Sequence, residues 1–166
     1  RNGEVNHQGL RGRDLMSKKS DVGQWSQFNR GRPLFQTAGI QEYDRAMARL
    51  LQRLIKPFKV IVEYGCGDAV WTEYLASQHP TKRFVGVEWN EELFNYASNV
   101  RKPGLENLEL VKADMSRPEG IIPCDFFFCF GGIEHFESHT EILRAWTEKL
   151  SLDGQCILTI PNLLNR

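Results

Sequence analysis

Short apolar runs alternate along this chain with stretches whose apolar positions fall at helical spacing. Val60-Ile61-Val62 is β-branched and is stopped by Gly65, which predicts a strand covered on both faces. Phe84 to Glu88, Leu108 to Val111, Cys124 to Phe130 and Gln155 to Ile160 predict four more strands, the last closed by Pro161. Ahead of the first strand, Ile40, Tyr43, Met47, Leu50, Leu51 and Leu54 form one helical stripe. Arg45, Arg49, Gln52 and Arg53 take the opposite face, and Pro57 ends the helix. Ala69 to Ala76 predicts a second helix, and Glu91 to Val100 a third with Leu93, Phe94 and Ala97 inward. A fourth runs through Ile142, Leu143, Trp146 and Leu150, started by the capping box Ser138-x-x-Glu141. This alternation predicts an α/β domain with a mainly parallel sheet over residues 40–166, preceded by an arm over 1–39.

The first strand ends in Glu63 and turns through Gly65-Cys66-Gly67. Glycines let the backbone bend sharply there and approach a ligand closely. Glu88 ends the second strand 21 positions after Gly67, where a carboxylate can accept from ribose hydroxyls. A dinucleotide site would add a third glycine for close helix packing beside a pyrophosphate, but Val70 stands at that position. A ligand with a ribose and no pyrophosphate fits better, which favours S-adenosylmethionine over NAD.

On these residues the chain resembles the class I S-adenosylmethionine-dependent methyltransferases, small-molecule subgroup. Glu63-Tyr-Gly-Cys-Gly67 matches the acid-x-Gly-x-Gly signature, and Glu88 matches the second-strand acid. Leu108 to Asp114-Met115 resembles the third strand and its terminal acid. Ile133-Glu-His135-Phe, Leu150 to Gly154 and Leu158 to Asn162 resemble the fourth and fifth strand ends. The chain departs from the pattern at Asp68-Ala69, where many members carry another glycine, and at Leu152-Asp-Gly154, where Pro-Gly-Gly is frequent. The resemblance implies a Rossmann-like three-layer sandwich and methyl transfer to a small-molecule acceptor. It implies that Gly65 and Gly67 line the methionine and ribose, and that Glu63 helps hold the ammonium end through water. Glu88 would take the ribose hydroxyls, Asp114 the adenine amino group, the Met115 amide a ring nitrogen, and Trp89 the adenine edge. Phe130 and Gly131 would contribute backbone contacts near the methionine amine, and His135 is the candidate base for the acceptor's proton.

Composition adds little to this picture and excludes some alternatives. Apolar residues make up 41% and charged residues 25%, as in ordinary globular domains, and no run is long enough to span a bilayer. The first residues do not form a signal peptide, so a cytoplasmic location is expected. Four cysteines without CxxC spacing predict reduced, mostly buried thiols, which agrees with it. His135 and His139 share helical spacing, but no cysteine pair at zinc spacing accompanies them, so no metal site is expected. Residues 1–33 carry seven Arg or Lys against three Asp or Glu, a basic arm on a chain of zero net charge. Trp25 and Phe28 within it predict docking on the core or on a ligand. Phe130-Gly-Gly-Ile-Glu134 lacks the Asn/Asp-Pro-Pro-Tyr/Phe pattern of amino-methylating DNA enzymes, which argues against nucleic acid. The resembling fold continues past the fifth strand, so its last strands are expected to be missing here and a partner chain or further sequence to cover that edge. A catalytically silent subunit binding a partner through the same edge, or a nucleic-acid methyltransferase using the basic arm, is the alternative function.

Overall fold

The computed structural model describes residues 41–100, 104–117, 120 and 122–160. The predicted arm with Trp25 and Phe28 lies outside them, as do Ile40 and Pro161. The described elements run α1 (Gln41–Leu54), β1 (Val60–Tyr64), α2 (Val70–Gln78), β2 (Arg83–Glu88), α3 (Glu91–Val100), β3 (Leu108–Lys112) and β4 (Cys124–Phe130). A 3-10 turn (Ile133–His135), α4 (His139–Thr147) and β5 (Leu150–Thr159) follow.

The five strands form one sheet in the order β3-β2-β1-β4-β5, and every neighbouring pair is parallel. The expected α/β, Rossmann-like sandwich is therefore present. Alternate residues of the central strands feed two cores. Ile61, Phe84, Phe126 and Phe128 pack with Met47 and Leu51 of α1 and with Trp71 and Leu75 of α2. Val62, Val85, Val87, Phe127 and Cys129 pack on the other face with Ile133, Phe136, Ile142 and Trp146. Burial on both faces is why these strands are continuous apolar runs instead of alternating ones. Chain order reverses between β1 and β4, because β2 and β3 are laid down on one side of β1 before β4 returns to the other. Such a reversal opens a crevice beyond the carboxyl ends of the strands.

Two local expectations are corrected. Leu150 was predicted to end the last helix; it begins β5 instead, five residues before the predicted strand start. Thr147 Oγ1 turns back onto the carbonyls of Leu143 and Arg144, and the helix closes there. Leu150 keeps its i+4 spacing from Trp146, so periodicity alone assigned it to the wrong element. Cys124 pairs with Leu150 and Phe126 with Gln155, so residues 151–154 bulge out of register and Leu152 is fully exposed. In α1 the inward stripe is Asp44, Met47, Ala48 and Leu51; Tyr43 is half-exposed.

A polar clamp fixes the start of β1. The Asp125 carboxylate accepts from the Lys59 and Val60 amides at 3.0 and 2.9 Å, and these bonds hold it below the usual carboxylate range.

Candidate active site

The crevice at the reversal is a cleft of about 460 Å³. Its described lining comes from the tip of β1 and the following turn (Glu63, Gly65, Cys66, Asp68), the start of α2 (Val70, Trp71) and the tip of β4 (Phe130, Gly131). Tyr43 of α1 and Thr159 and Ile160 at the end of β5 complete it. Trp71 stands edge-on to Phe130 at 5.9 Å, so one wall is aromatic.

The glycine turn is bent as its residues predict. Gly65 and Gly67 have φ of 73° and 57°, in the left-handed region that a Cβ disfavours. Ala69 also sits there, at φ 60°, although it has a Cβ. The amides of Gly65 and Cys66 bond the Val87 carbonyl, and those of Ala69 and Val70 bond the Cys66 carbonyl and the Asp68 carboxylate. The Gly67 amide donates to Glu88 Oε2 at 2.8 Å. The other Glu88 oxygen accepts from the Asn90 amide at 2.8 Å, so this one carboxylate ties the turn to the tip of β2. Burial pushes the Glu88 carboxyl up, against the amides that hold its charged form.

Glu63 is more deeply enclosed. Its carboxylate accepts from the Thr72 amide at 3.0 Å and meets the Thr72 hydroxyl in a short contact. Burial pushes it up to about 8, Asp68 and Glu88 add to the rise, and the Thr72 bonds oppose it. Its bonds to Thr72 hold the first turn of α2 against β1.

Sequence reasoning placed ten residues at this end of the sheet. Glu63, Gly65, Phe130 and Gly131 line the cleft, and Gly67 lies within the turn that forms its floor. Glu88, Trp89, Asp114, Met115 and His135 stand outside the described lining. The sheet nevertheless gathers the acidic strand tips. The Ala113 amide bonds the Glu88 carbonyl, which sets Asp114 just beyond Glu88. Asp114 binds the amide and hydroxyl of Ser116 and pairs with Arg117 at 3.3 Å. Met115 approaches the turn: its Cε is 3.8 Å from where a Cβ on Gly65 would lie. His135 lies in the half-buried turn after β4, beside Glu134.

Three features escaped the sequence reading. Tyr64, one residue past Glu63, donates to the Ile122 carbonyl, accepts from its amide and stacks on Trp146 at 4.5 Å. Trp146 in turn donates to the Met115 carbonyl at 2.9 Å, so α4 fixes the backbone at the tip of β3. The third is Glu134, whose two carboxylate oxygens are buried with no hydrogen-bond partner among the described residues. Only its adjacency to His135 distinguished it in the sequence.

The cleft suits an adenosyl sulfonium. A Cβ on Gly67 would meet nothing within 4 Å, so there is open space in front of the turn. Carboxylates (Glu63, Asp68) and aromatic faces (Tyr43, Trp71, Phe130) line it, and no Lys, Arg or His is among the described lining residues. Aromatic faces attract organic cations.

A parallel sheet whose order reverses beside this turn defines a Rossmann-like protein with a nucleoside-type site. Residues 61–154, more than half of the chain, match the family described as a methyltransferase domain. The chain therefore belongs to that family, in the class I S-adenosylmethionine-dependent group its motifs resemble. It is 24% identical over 126 residues to trans-aconitate 2-methyltransferase of Acidovorax sp. (strain JS42), covering 75% of this chain and 47% of that protein. It is 26% identical over 98 residues to probable (S)-tetrahydroprotoberberine N-methyltransferase 2 of Papaver bracteatum, covering 58% of this chain and 26% of that protein. Among solved structures, coclaurine N-methyltransferase bound to N-methylheliamine and SAH aligns with a TM-score of 0.65 at 22% identity, over 78% of this chain and 40% of that one. The PH0226 protein of Pyrococcus horikoshii OT3 aligns with a TM-score of 0.64 at 17% identity, over 81% and 64%. These structural likenesses show the fold. The chain spans about a quarter to a half of the length of the curated relatives it matches. Among the described residues no helix is long and apolar enough to cross a membrane.

Proposed function

We propose that this domain binds S-adenosylmethionine in the β1–β4 cleft and transfers its methyl group to a small-molecule acceptor. The observation that carries the reading is where the turn's amides go. Those of residues 65, 66, 67, 69 and 70 are all bonded within the protein. A pyrophosphate needs such amides free and would face the Asp68 carboxylate. An adenosyl ligand without phosphate and with positive charge meets neither obstacle.

S-adenosylmethionine supplies an activated methyl on a sulfonium, so the chain's task is chiefly positioning. Glu63 and Thr72 hold α2 against β1, Glu88 holds the glycine turn, and Trp146 holds Met115. In this reading Glu88 still has lone pairs for a ribose hydroxyl, Asp114 and Met115 face the adenine, and Trp89 covers its edge. Phe130 and Gly131 bound the methionine end, and His135 takes the proton an acceptor loses. Small-molecule acceptors are what the names of the curated relatives describe for those proteins, an aconitate and an alkaloid. The cytoplasm is the location this reading assigns. The basic arm over residues 1–39 and a covering segment or partner at the β5 edge belong to it as well.

Calorimetric titration of the full-length protein with S-adenosylmethionine and with NAD tests the proposal. Binding of the first and not the second is expected, followed by S-adenosylhomocysteine release with a suitable acceptor. Failure to bind S-adenosylmethionine overturns it and favours a silent subunit.

A further inference from the structure

Gly86 lies in the middle of β2 and is buried. Its backbone is outside the left-handed region, so its own conformation does not require a glycine. The space beside it does. A Cβ there would lie 2.9 Å from Cys66 Sγ and 3.2 Å from Cys66 Cβ, inside the separation at which packed atoms attract. Leu110 Cδ2, on β3, would stand 3.0 Å away. Cys66 belongs to the glycine turn and lines the cleft. Its side chain occupies the notch that the missing Cβ leaves, in a small cluster with Ala69 of the same turn and Ala97 of α3. Burial pushes the Cys66 thiol well up, so it serves there as a neutral filler of space. Three consecutive residues of β2 thus hold the turn. Gly86 seats the Cys66 side chain, the Val87 carbonyl accepts from the Gly65 and Cys66 amides at 2.9 and 3.1 Å, and Glu88 Oε2 accepts from the Gly67 amide at 2.8 Å.

We propose that Gly86 is a positioning residue for the S-adenosylmethionine site, acting through Cys66: the bare backbone at 86 sets how closely the turn over residues 65–67 docks on β2. The inference rests on the cofactor reading of the cleft and adds a residue that stands outside its described lining. Hydrogen bonds weaken steeply as they lengthen or bend, so the bonds to Val87 and Glu88 close well only when the turn is fully seated. A Cβ at 86 would displace Cys66, because close-packed atoms pass a shift on to their neighbours. Leu110 has room to yield, since it is partly exposed and only the end of its side chain meets the notch. Cys66 is met at both Cβ and Sγ and is tied down by its own amide, so its backbone has to move. The three bonds of the turn would then deteriorate together. Gly65 and Cys66, which line the cleft, would shift with them.

The test is a mutant cycle in the full-length protein. Calorimetry measures S-adenosylmethionine and S-adenosylhomocysteine binding to wild type, Gly86→Ala, Cys66→Ala and Leu110→Ala. The same is done for Gly86→Ala combined with Cys66→Ala and with Leu110→Ala, and denaturant unfolding is followed for every protein. Gly86→Ala is expected to weaken both ligands by about tenfold or more. Adding Cys66→Ala, which removes the nearest atom, is expected to recover about fivefold or more of that loss, a strongly non-additive pair. Adding Leu110→Ala is expected to recover none of it. Undiminished affinity in Gly86→Ala overturns the proposal. So does rescue by Leu110→Ala in place of Cys66→Ala, which would assign the glycine to strand packing alone. A loss of affinity that follows lost stability across the whole set overturns it as well. If Gly86→Ala does not fold, the combination with Cys66→Ala decides: a folded, ligand-binding protein supports the proposal and an unfolded one overturns it. Wild-type protein that fails to bind S-adenosylmethionine removes the cofactor reading itself and this proposal with it.

Discussion

The two sides of the cleft are built on opposite principles. On the β1–β2 side every carboxylate is engaged: Glu63 by Thr72, Glu88 by the amides of Gly67 and Asn90. On the β4 side both Glu134 carboxylate oxygens are buried with no hydrogen-bond partner among the described residues. The first side is organised before any ligand arrives, and its acids hold backbone in place. The second keeps an unmet hydrogen-bonding demand, which costs stability. Removing an acid should therefore have opposite consequences on the two sides.

The largest effect is expected for Glu88→Ala. It releases the Gly67 and Asn90 amides together and should weaken S-adenosylmethionine binding by about 1–3 kcal/mol, read by calorimetry. Unchanged affinity would mean that the turn keeps its shape without this clamp. Glu134→Leu should do the reverse to the fold. Replacing an unpartnered buried carboxylate by an apolar group of similar size should raise stability by about 1–2 kcal/mol in denaturant unfolding. Destabilisation there would show that Glu134 has a structural partner and would end the contrast.

Proton linkage separates the sides further. Glu63 rises from 4.5 to about 8 on folding, so between those values the folded state binds a proton that the unfolded state has released. Its contribution to stability is therefore present at low pH and is lost as pH climbs through about 8, with a slope of at most about 1.4 kcal/mol per pH unit. Glu63→Gln should remove that component from the pH dependence of unfolding; an identical profile in the variant would place the linkage elsewhere. The smallest effect is expected at Ala69, held at φ 60°. Ala69→Gly relieves the left-handed strain but adds freedom to the unfolded chain, for a net gain of about 0.5–1 kcal/mol in the same measurement.

Much of the fold was legible because a sheet covered on both faces leaves a strong mark. Val60 to Val62 and Cys124 to Phe130 are continuous apolar runs for that reason, and their order with the intervening helices defines the class. Errors arose where two arrangements share one periodicity. Leu150 lies four residues after Trp146 and completes a helical stripe on paper, yet it pairs with Cys124 in the sheet. Tyr43 fits the inward stripe of α1 by spacing, but Asp44 is the buried residue and Tyr43 faces the cleft.

At the site, local sequence was sufficient for the glycine bend, though not for Ala69, which was predicted to start a helix and instead takes a left-handed φ of 60°. The glycines at 65 and 67 and the acids closing β1, β2 and β3 could be read directly, because a left-handed turn and a strand tip impose residue types. Which acids would be satisfied and which left bare could not be read, because that depends on atoms distant along the chain. Glu88 meets Gly67 across 21 residues, and Trp146 reaches Met115 across 31. Glu134 is unpartnered only because the packed fold excludes water from it and brings no described donor near. Hydrogen bonding acts over ångströms in space, and only tertiary structure decides which groups come within that reach.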